Sequence, residues 1–199
     1  MPLTLATRIT IVRILFIPLF VLFVLYYEAS IFNGKPVIML RWVATGLFLL
    51  EFILDAVDGY VARSRGEISK LGTALDPLAD KTMLLTALFL FMRPSIAFTS
   101  IMPVWFVLLV VSRDIMLVTG GLIIHSHIGN VTIRPRISGK ITTFFQMVVI
   151  MWILIGLPQR YFLWPVFCAA FFTAMSAVQY FFDGLHQLDK DPHNNHSHA

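Results

Sequence analysis

The chain has 199 residues, of which 58% are hydrophobic and 13% charged, with a formal net charge of +4 and a mean hydropathy of +0.81. Soluble domains carry about 25% charged and about 45–50% apolar residues, so this balance excludes an ordinary soluble domain and points to one integral membrane bundle. The bases are scattered among loop-like segments, which argues against nucleic acid and suits an anionic membrane face.

The first predicted element is a membrane helix over 11–27, behind a short amphipathic lead-in. Arg8 and Arg13 precede its apolar run, but no small-residue cleavage site ends it, so it reads as a retained helix rather than a signal peptide. A spanning helix needs about 20 mostly apolar residues. Five more stretches qualify, over 37–63, 71–92, 103–125, 137–157 and 161–185. Asn33-Gly34, Pro94, Pro103 and Gly156-Leu157-Pro158 are the expected breaks. The predicted fold is therefore an all-α integral membrane protein with six transmembrane helices. Residues 1–188 form a single membrane domain, and 189–199 are a polar, disordered tail holding three of the six histidines.

Six spans put both termini on one side. With both termini cytoplasmic, nine bases lie inside (Arg8, Arg13, Arg63, Arg65, Lys70, Arg134, Arg136, Lys140 and Lys190) and four outside (Lys35, Arg41, Arg93 and Arg160). The positive-inside rule favours this orientation. The lone cysteine, Cys168, excludes an intrachain disulfide and reads as a small buried hydrophobe within an apolar run.

Two pairs of aspartates interrupt this pattern. Asp55 and Asp58 are three apart in the second helix, and Asp76 and Asp80 are four apart in the third, so each pair shares a helix face. A carboxylate near hydrocarbon costs roughly 2.5–3.5 kcal/mol on insertion scales and marks a functional site. The two helices are joined by a short loop, and as antiparallel neighbours they bring four carboxylates together near the cytoplasmic boundary. Carboxylates so close repel one another unless a cation sits between them. Hard oxygen ligands suit Mg²⁺ or Mn²⁺, and two ions about 3.5–4 Å apart suit an in-line phosphoryl displacement. Gly59, Ala62 and Gly72 remove side chains nearby, and Arg63 adds a guanidinium fit for a phosphate.

The spacing D-x2-D-G-x2-A-R-x8-G-x3-D-x3-D is matched at Asp55, Asp58, Gly59, Ala62, Arg63, Gly72, Asp76 and Asp80. This resembles the signature of the CDP-alcohol phosphatidyltransferases. The resemblance implies a six-helix, commonly dimeric membrane enzyme that moves a substituted phosphate from a CDP-linked donor, such as CDP-diacylglycerol, to an alcohol and releases CMP. It implies that Asp55, Asp58 and Asp76 are metal ligands, and that Asp80 is the general base and also a ligand. It implies that Asp58, Gly59, Ala62, Arg63 and Gly72 cradle the CDP moiety. Ile9-Thr10-Ile11-Val12-Arg13 followed by Ile17-Pro18 is similar to the family's N-terminal pattern, which commonly has Asn where this chain has Thr7; Thr10 is the CDP candidate at that end.

The stretch from Leu71 to Lys81, and Gly139-Lys140-Ile141-Thr142-Thr143 with Gln146, resemble the bacterial phosphatidylglycerophosphate synthases and the eukaryotic-type cardiolipin synthases. Arg113, Arg134, Arg136 and Lys140 are the acceptor-side candidates. Ser112-Arg113-Asp114 followed by Gly121 departs from the Arg-Glu and second Arg usual in the former branch and looks more like the latter. An ion pair with a neighbouring acid is the other reading of Arg113. The preferred acceptor is glycerol 3-phosphate, the alternative is phosphatidylglycerol, and a divalent-cation transporter is the remote alternative. The expected location is a bacterial inner membrane, with the site facing the cytoplasm.

Overall fold

The computed structural model describes the backbone of residues 5–65, 70–128 and 137–189, and the side chains of residues 12–54, 81–120 and 139–182. Those residues are all helical apart from short connections, in six α-helices: α1 (Leu5–Phe32), α2 (Ile38–Arg65), α3 (Lys70–Met92), α4 (Val104–Ile128), α5 (Ile137–Ile155) and α6 (Leu163–Asp189). Each overlaps one predicted span. At the expected lead-in, α1 is already helical from Leu5, so residues 5–10 are its first turns. Two stretches among the described residues, Val12–Phe32 and Gln159–Phe182, are long and apolar enough to cross a membrane.

Two of the predicted breaks have the same construction. At the end of α1, the Lys35 N–H donates to the Ser30 carbonyl and the Gly34 N–H to the Ile31 carbonyl. At the end of α5, Leu157 donates to Trp152 and Gly156 to Ile153. Both are Schellman closures, which place a residue in the left-handed region just past the helix. Gly34 and Gly156 take that position, with φ of 69° and 77°. Pro103 instead starts a helix, its carbonyl accepting from the N–H groups of Phe106 and Val107.

The chain packs as two compact units, one comprising Met1–Met102 with Ile150–Arg160, the other Pro103–Val149 with Tyr161–Ala199. In the first, α1 packs against both α2 and α3. Its buried stripe runs through Phe20, Val24 and Tyr27. Phe20 lies 5.7 Å from the Phe48 ring and 6.4 Å from Phe91. Arg41, counted from sequence among the external charges at the start of the second span, lies in the first turn of α2. Its Nε–H donates to the Leu154 carbonyl at 2.5 Å, and its Cζ sits 5.9 Å from both the Tyr27 and Phe98 ring centroids. The Leu154 carbonyl is among those an α-helix leaves open at its C-terminus, where a cation is also favoured by the helix dipole.

In the second unit α4 packs on α6. The buried side of α6 carries Ala169, Ala170, Thr173 and Ser176. Small residues let helix backbones approach without a hydrophobic drive from water. Thr142 donates to the Phe172 carbonyl at 3.0 Å, and Gln146 to the Thr173 hydroxyl at 3.4 Å, pinning α5 to α6. Cys168 is exposed. Its expected burial fails because a helix in hydrocarbon is apolar on its outward face too, so an apolar run does not identify the inward side.

Candidate functional site

The signature is divided between two helices. Asp55, Asp58, Gly59, Ala62 and Arg63 all belong to α2. Gly72, Asp76 and Asp80 belong to α3. With about 100° and 1.5 Å per residue, Asp55 and Asp58 are one turn apart on one face of α2, as are Asp76 and Asp80 on α3. The side chains of these eight residues lie outside the described set, as does that of Thr10, which sits in the second turn of α1. Since α1 packs on both α2 and α3, all three helices proposed for the donor belong to one unit.

The donor set can be judged by its chemistry. Four carboxylates offer hard oxygen ligands, which fit Mg²⁺ or Mn²⁺ and suit zinc less well. Asp55, Asp58, Asp76 and Asp80 are the residues able to hold such ions.

Directly below the α2 acids the structure contains a charged pair that sequence reasoning overlooked. The Arg13 Nε–H donates to Glu51 Oε1 at 3.2 Å. The two side chains are 0% and 3% exposed. Arg13 is thus a buried partner of α2 rather than a topology-setting charge at the membrane surface. A signal existed: an acid at position 51 and a base at position 13 both interrupt apolar runs of helices joined by a five-residue turn.

The acceptor-side candidates divide. Arg134 and Arg136 lie outside the described residues, and Lys140 is exposed in the first turn of α5. Arg113 is buried in the second unit. Its Nη1 donates to Asp114 at 2.7 Å and its Nη2 to the Ser176 hydroxyl at 3.0 Å, while its Cζ lies 5.4 Å from the Tyr180 ring centroid. The neighbouring-acid reading of Arg113 is therefore present in the fold. Its Nε is buried with no hydrogen-bond partner among the described residues. Gly139 passes close by: a Cβ there would stand 3.3 Å from the Tyr180 hydroxyl and 3.4 Å from Arg113 Nη2. A side chain at 139 would therefore touch this cluster.

Residues 3–183 match the family model described as CDP-alcohol phosphatidyltransferase. The chain is 31% identical over 186 residues to the CDP-diacylglycerol–glycerol-3-phosphate 3-phosphatidyltransferase of Bacillus subtilis, covering 89% of this chain and 93% of that protein. It is 30% identical over 146 residues to a probable phosphatidylglycerophosphate synthase of Mycobacterium tuberculosis, covering 73% of this chain and 63% of that one. It is 29% identical over 165 residues to the CMP-forming cardiolipin synthase of Rattus norvegicus, covering 71% of this chain but only 52% of the relative.

Proposed function

The chain belongs to the CDP-alcohol phosphatidyltransferase family, and from that premise we propose that it transfers the phosphatidyl group of CDP-diacylglycerol to glycerol 3-phosphate and releases CMP. The observation that carries this reading is the complete signature divided between α2 and α3, in a chain that aligns almost end to end with a bacterial enzyme named for that acceptor. Phosphatidylglycerol is the second reading for the acceptor. It is favoured by Ser112-Arg113-Asp114 in α4 and by the likeness to cardiolipin synthases.

The proposed roles follow from side-chain chemistry. Asp55, Asp58, Asp76 and Asp80 hold divalent ions, two of them in our reading. When bound, such ions polarise the pyrophosphate and neutralise the charge of departing CMP. Asp80 also takes the proton from the acceptor hydroxyl as its oxygen attacks the phosphatidyl phosphorus. The bond from that phosphorus to the CMP oxygen breaks, and its electron pair leaves with CMP. Gly59, Ala62 and Gly72 leave space for the CDP moiety, Asp58 and Thr10 line it, and Arg63 offers a guanidinium to a phosphate. Arg113, Arg134, Arg136 and Lys140 are proposed for the acceptor.

We place this chemistry in one membrane domain, residues 1–188, with six spans, both termini and the site on the cytoplasmic side of a bacterial cell membrane, working as a homodimer. Charge supports the orientation. Removing buried Arg13 and the α5-bound Arg41 from the tally leaves eight internal against three external bases, a stronger bias than nine against four.

The test is a CMP-release assay with CDP-diacylglycerol and Mg²⁺. Glycerol 3-phosphate, phosphatidylglycerol, inositol phosphate and serine are offered in turn, and the lipid product is weighed by mass spectrometry. Release with glycerol 3-phosphate alone supports the first reading, and release with phosphatidylglycerol alone replaces it by the second. No release with any acceptor sinks the transferase reading and reopens cation transport.

A further inference from the structure

Arg13 and Glu51 are 0% and 2% exposed, inside helices that are otherwise apolar there. Exchanging a buried ion pair for apolar side chains is often neutral or stabilising, so stability alone does not account for this one. The best-attested use of such a pair is to fix the register of packed helices.

Its place in the seam makes register the relevant quantity. On α1, Arg13 heads the buried stripe that continues at Phe20, Val24 and Tyr27, spaced by seven, four and three residues. On α2, the matching stripe runs Ala44, Phe48, Glu51. Phe20 meets Phe48, and Arg13 meets Glu51. Four, seven and eleven residues beyond Glu51 stand Asp55, Asp58 and Ala62. At about 100° per residue all three fall within about 40° of Glu51 on the same face, with Asp55 about 6 Å further along the axis. On the facing helix, Thr10 lies about 4.5 Å beyond Arg13 in the same direction. Arg13–Glu51 is an ion pair of the seam one helical turn short of Asp55.

Apolar side chains tolerate sliding, whereas a guanidinium on a carboxylate accepts a narrow set of geometries. The pair also sets a positive charge against Glu51, on the face that carries Asp55 and Asp58. We infer that Arg13 and Glu51 are positioning residues for the transfer reaction: their ion pair locks α1 against the acid-bearing face of α2 and holds the Thr10 end of α1 level with Asp55 for the donor's nucleotide. This rests on the donor-site reading above. It predicts a division of effects. The metal ligands come from α2 and α3 and do not need α1, whereas the nucleotide cradle does.

The experiment uses the full chain in detergent, with Mn²⁺ binding read by electron paramagnetic resonance and CDP binding in saturating Mn²⁺ by calorimetry. In R13M/E51M, which removes both charges together, the Mn²⁺ Kd stays within about twofold and the CDP Kd rises about tenfold. Its kcat falls on the order of 10²-fold, the scale of a 1 Å misplacement. A folded double variant whose CDP Kd and kcat both match wild type would falsify the inference. If the double variant does not fold, R13K decides by the same measurements. It preserves the charge but not the planar fork, so weakened CDP with unchanged Mn²⁺ upholds the role and wild-type CDP binding overturns it. Wild-type protein that binds Mn²⁺ but no CDP fells the donor-site reading and this inference together, whereas unaltered variants beside a CDP-binding wild type fell the inference alone.

Discussion

Gly34 and Gly156 close two helices with the same motif and nearly the same backbone angle, yet their surroundings differ. This makes them a matched pair for separating conformational cost from contact cost. An alanine in the left-handed region costs roughly 1–2 kcal/mol from its own Cβ. At Gly34 nothing else lies within 4 Å of the added atom, so Gly34→Ala costs about that much and no more. At Gly156 the Cβ would stand at or inside 3.0 Å of three guanidinium atoms of Arg41. A flexible side chain can withdraw, but only by giving up its bond to the Leu154 carbonyl and its seat between Tyr27 and Phe98. A hydrogen bond from a charged group contributes about 1.5–3 kcal/mol, so Gly156→Ala should cost about 2.5–5 kcal/mol in all. Reversible unfolding in mixed detergent micelles measures both variants. The same substitution in an R41M background should cost only about 1–2 kcal/mol, because the contact is already gone. Equal costs at positions 34 and 156, or additivity of G156A with R41M, would refute the assignment of Arg41 as the cap of α5.

Three further outcomes are expected. Asp80→Asn abolishes CMP release while retaining part of the Mn²⁺ binding; wild-type turnover by that variant removes Asp80 from the base role. Arg113→Ala destabilises the protein by about 1.5–3 kcal/mol, because it removes the charged hydrogen bonds to Asp114 and Ser176. It also raises the acceptor KM more than the donor KM, and an unchanged acceptor KM takes Arg113 out of the acceptor site. Arg93→Ala removes a 2.7 Å pair with Glu28 whose arginine is 53% exposed. Such pairs contribute about 0–1 kcal/mol, so unfolding should move by less than that and the effect should fade in high salt; a larger loss shows that the pair is not solvent-screened.

The helices were legible because their ends are written locally. Gly34 and Gly156 supply left-handed closures, Pro103 an N-terminal start, and each intervening run is long enough to read as a span. The acid pairs were legible for the same reason: spacings of three and four residues act within one helix, whatever its neighbours. Partnerships between helices were not. Arg13, Arg41 and Arg113 look alike in a sequence of this hydropathy, each a base in or beside an apolar run. One meets a buried glutamate 38 residues away, one a helix-end carbonyl 113 residues away, and one its own neighbour and a serine 63 residues away. These outcomes depend on seam register and on which carbonyls a helix leaves open, neither of which has a period in the sequence.

This difference bears on the donor site. A phosphate beside the α2 acids needs a cation, and Arg13 and Arg63 are the arginines of α1 and α2 nearest to those acids along their helices. Arg13 is already bound to Glu51, whose side chain is 3% exposed, and breaking a buried pair by removing one partner costs about 3–5 kcal/mol. Arg63 stands five residues past Asp58 and two before the end of α2, and it belongs to the signature. Its guanidinium is the one to expect on the donor's phosphates. Arg63→Ala should therefore raise the KM for CDP-diacylglycerol with the fold intact, whereas Arg13→Ala should lower folded yield before any KM can be read. If Arg63→Ala left that KM unchanged while Arg13→Ala folded normally and raised it, the two roles would have to be exchanged.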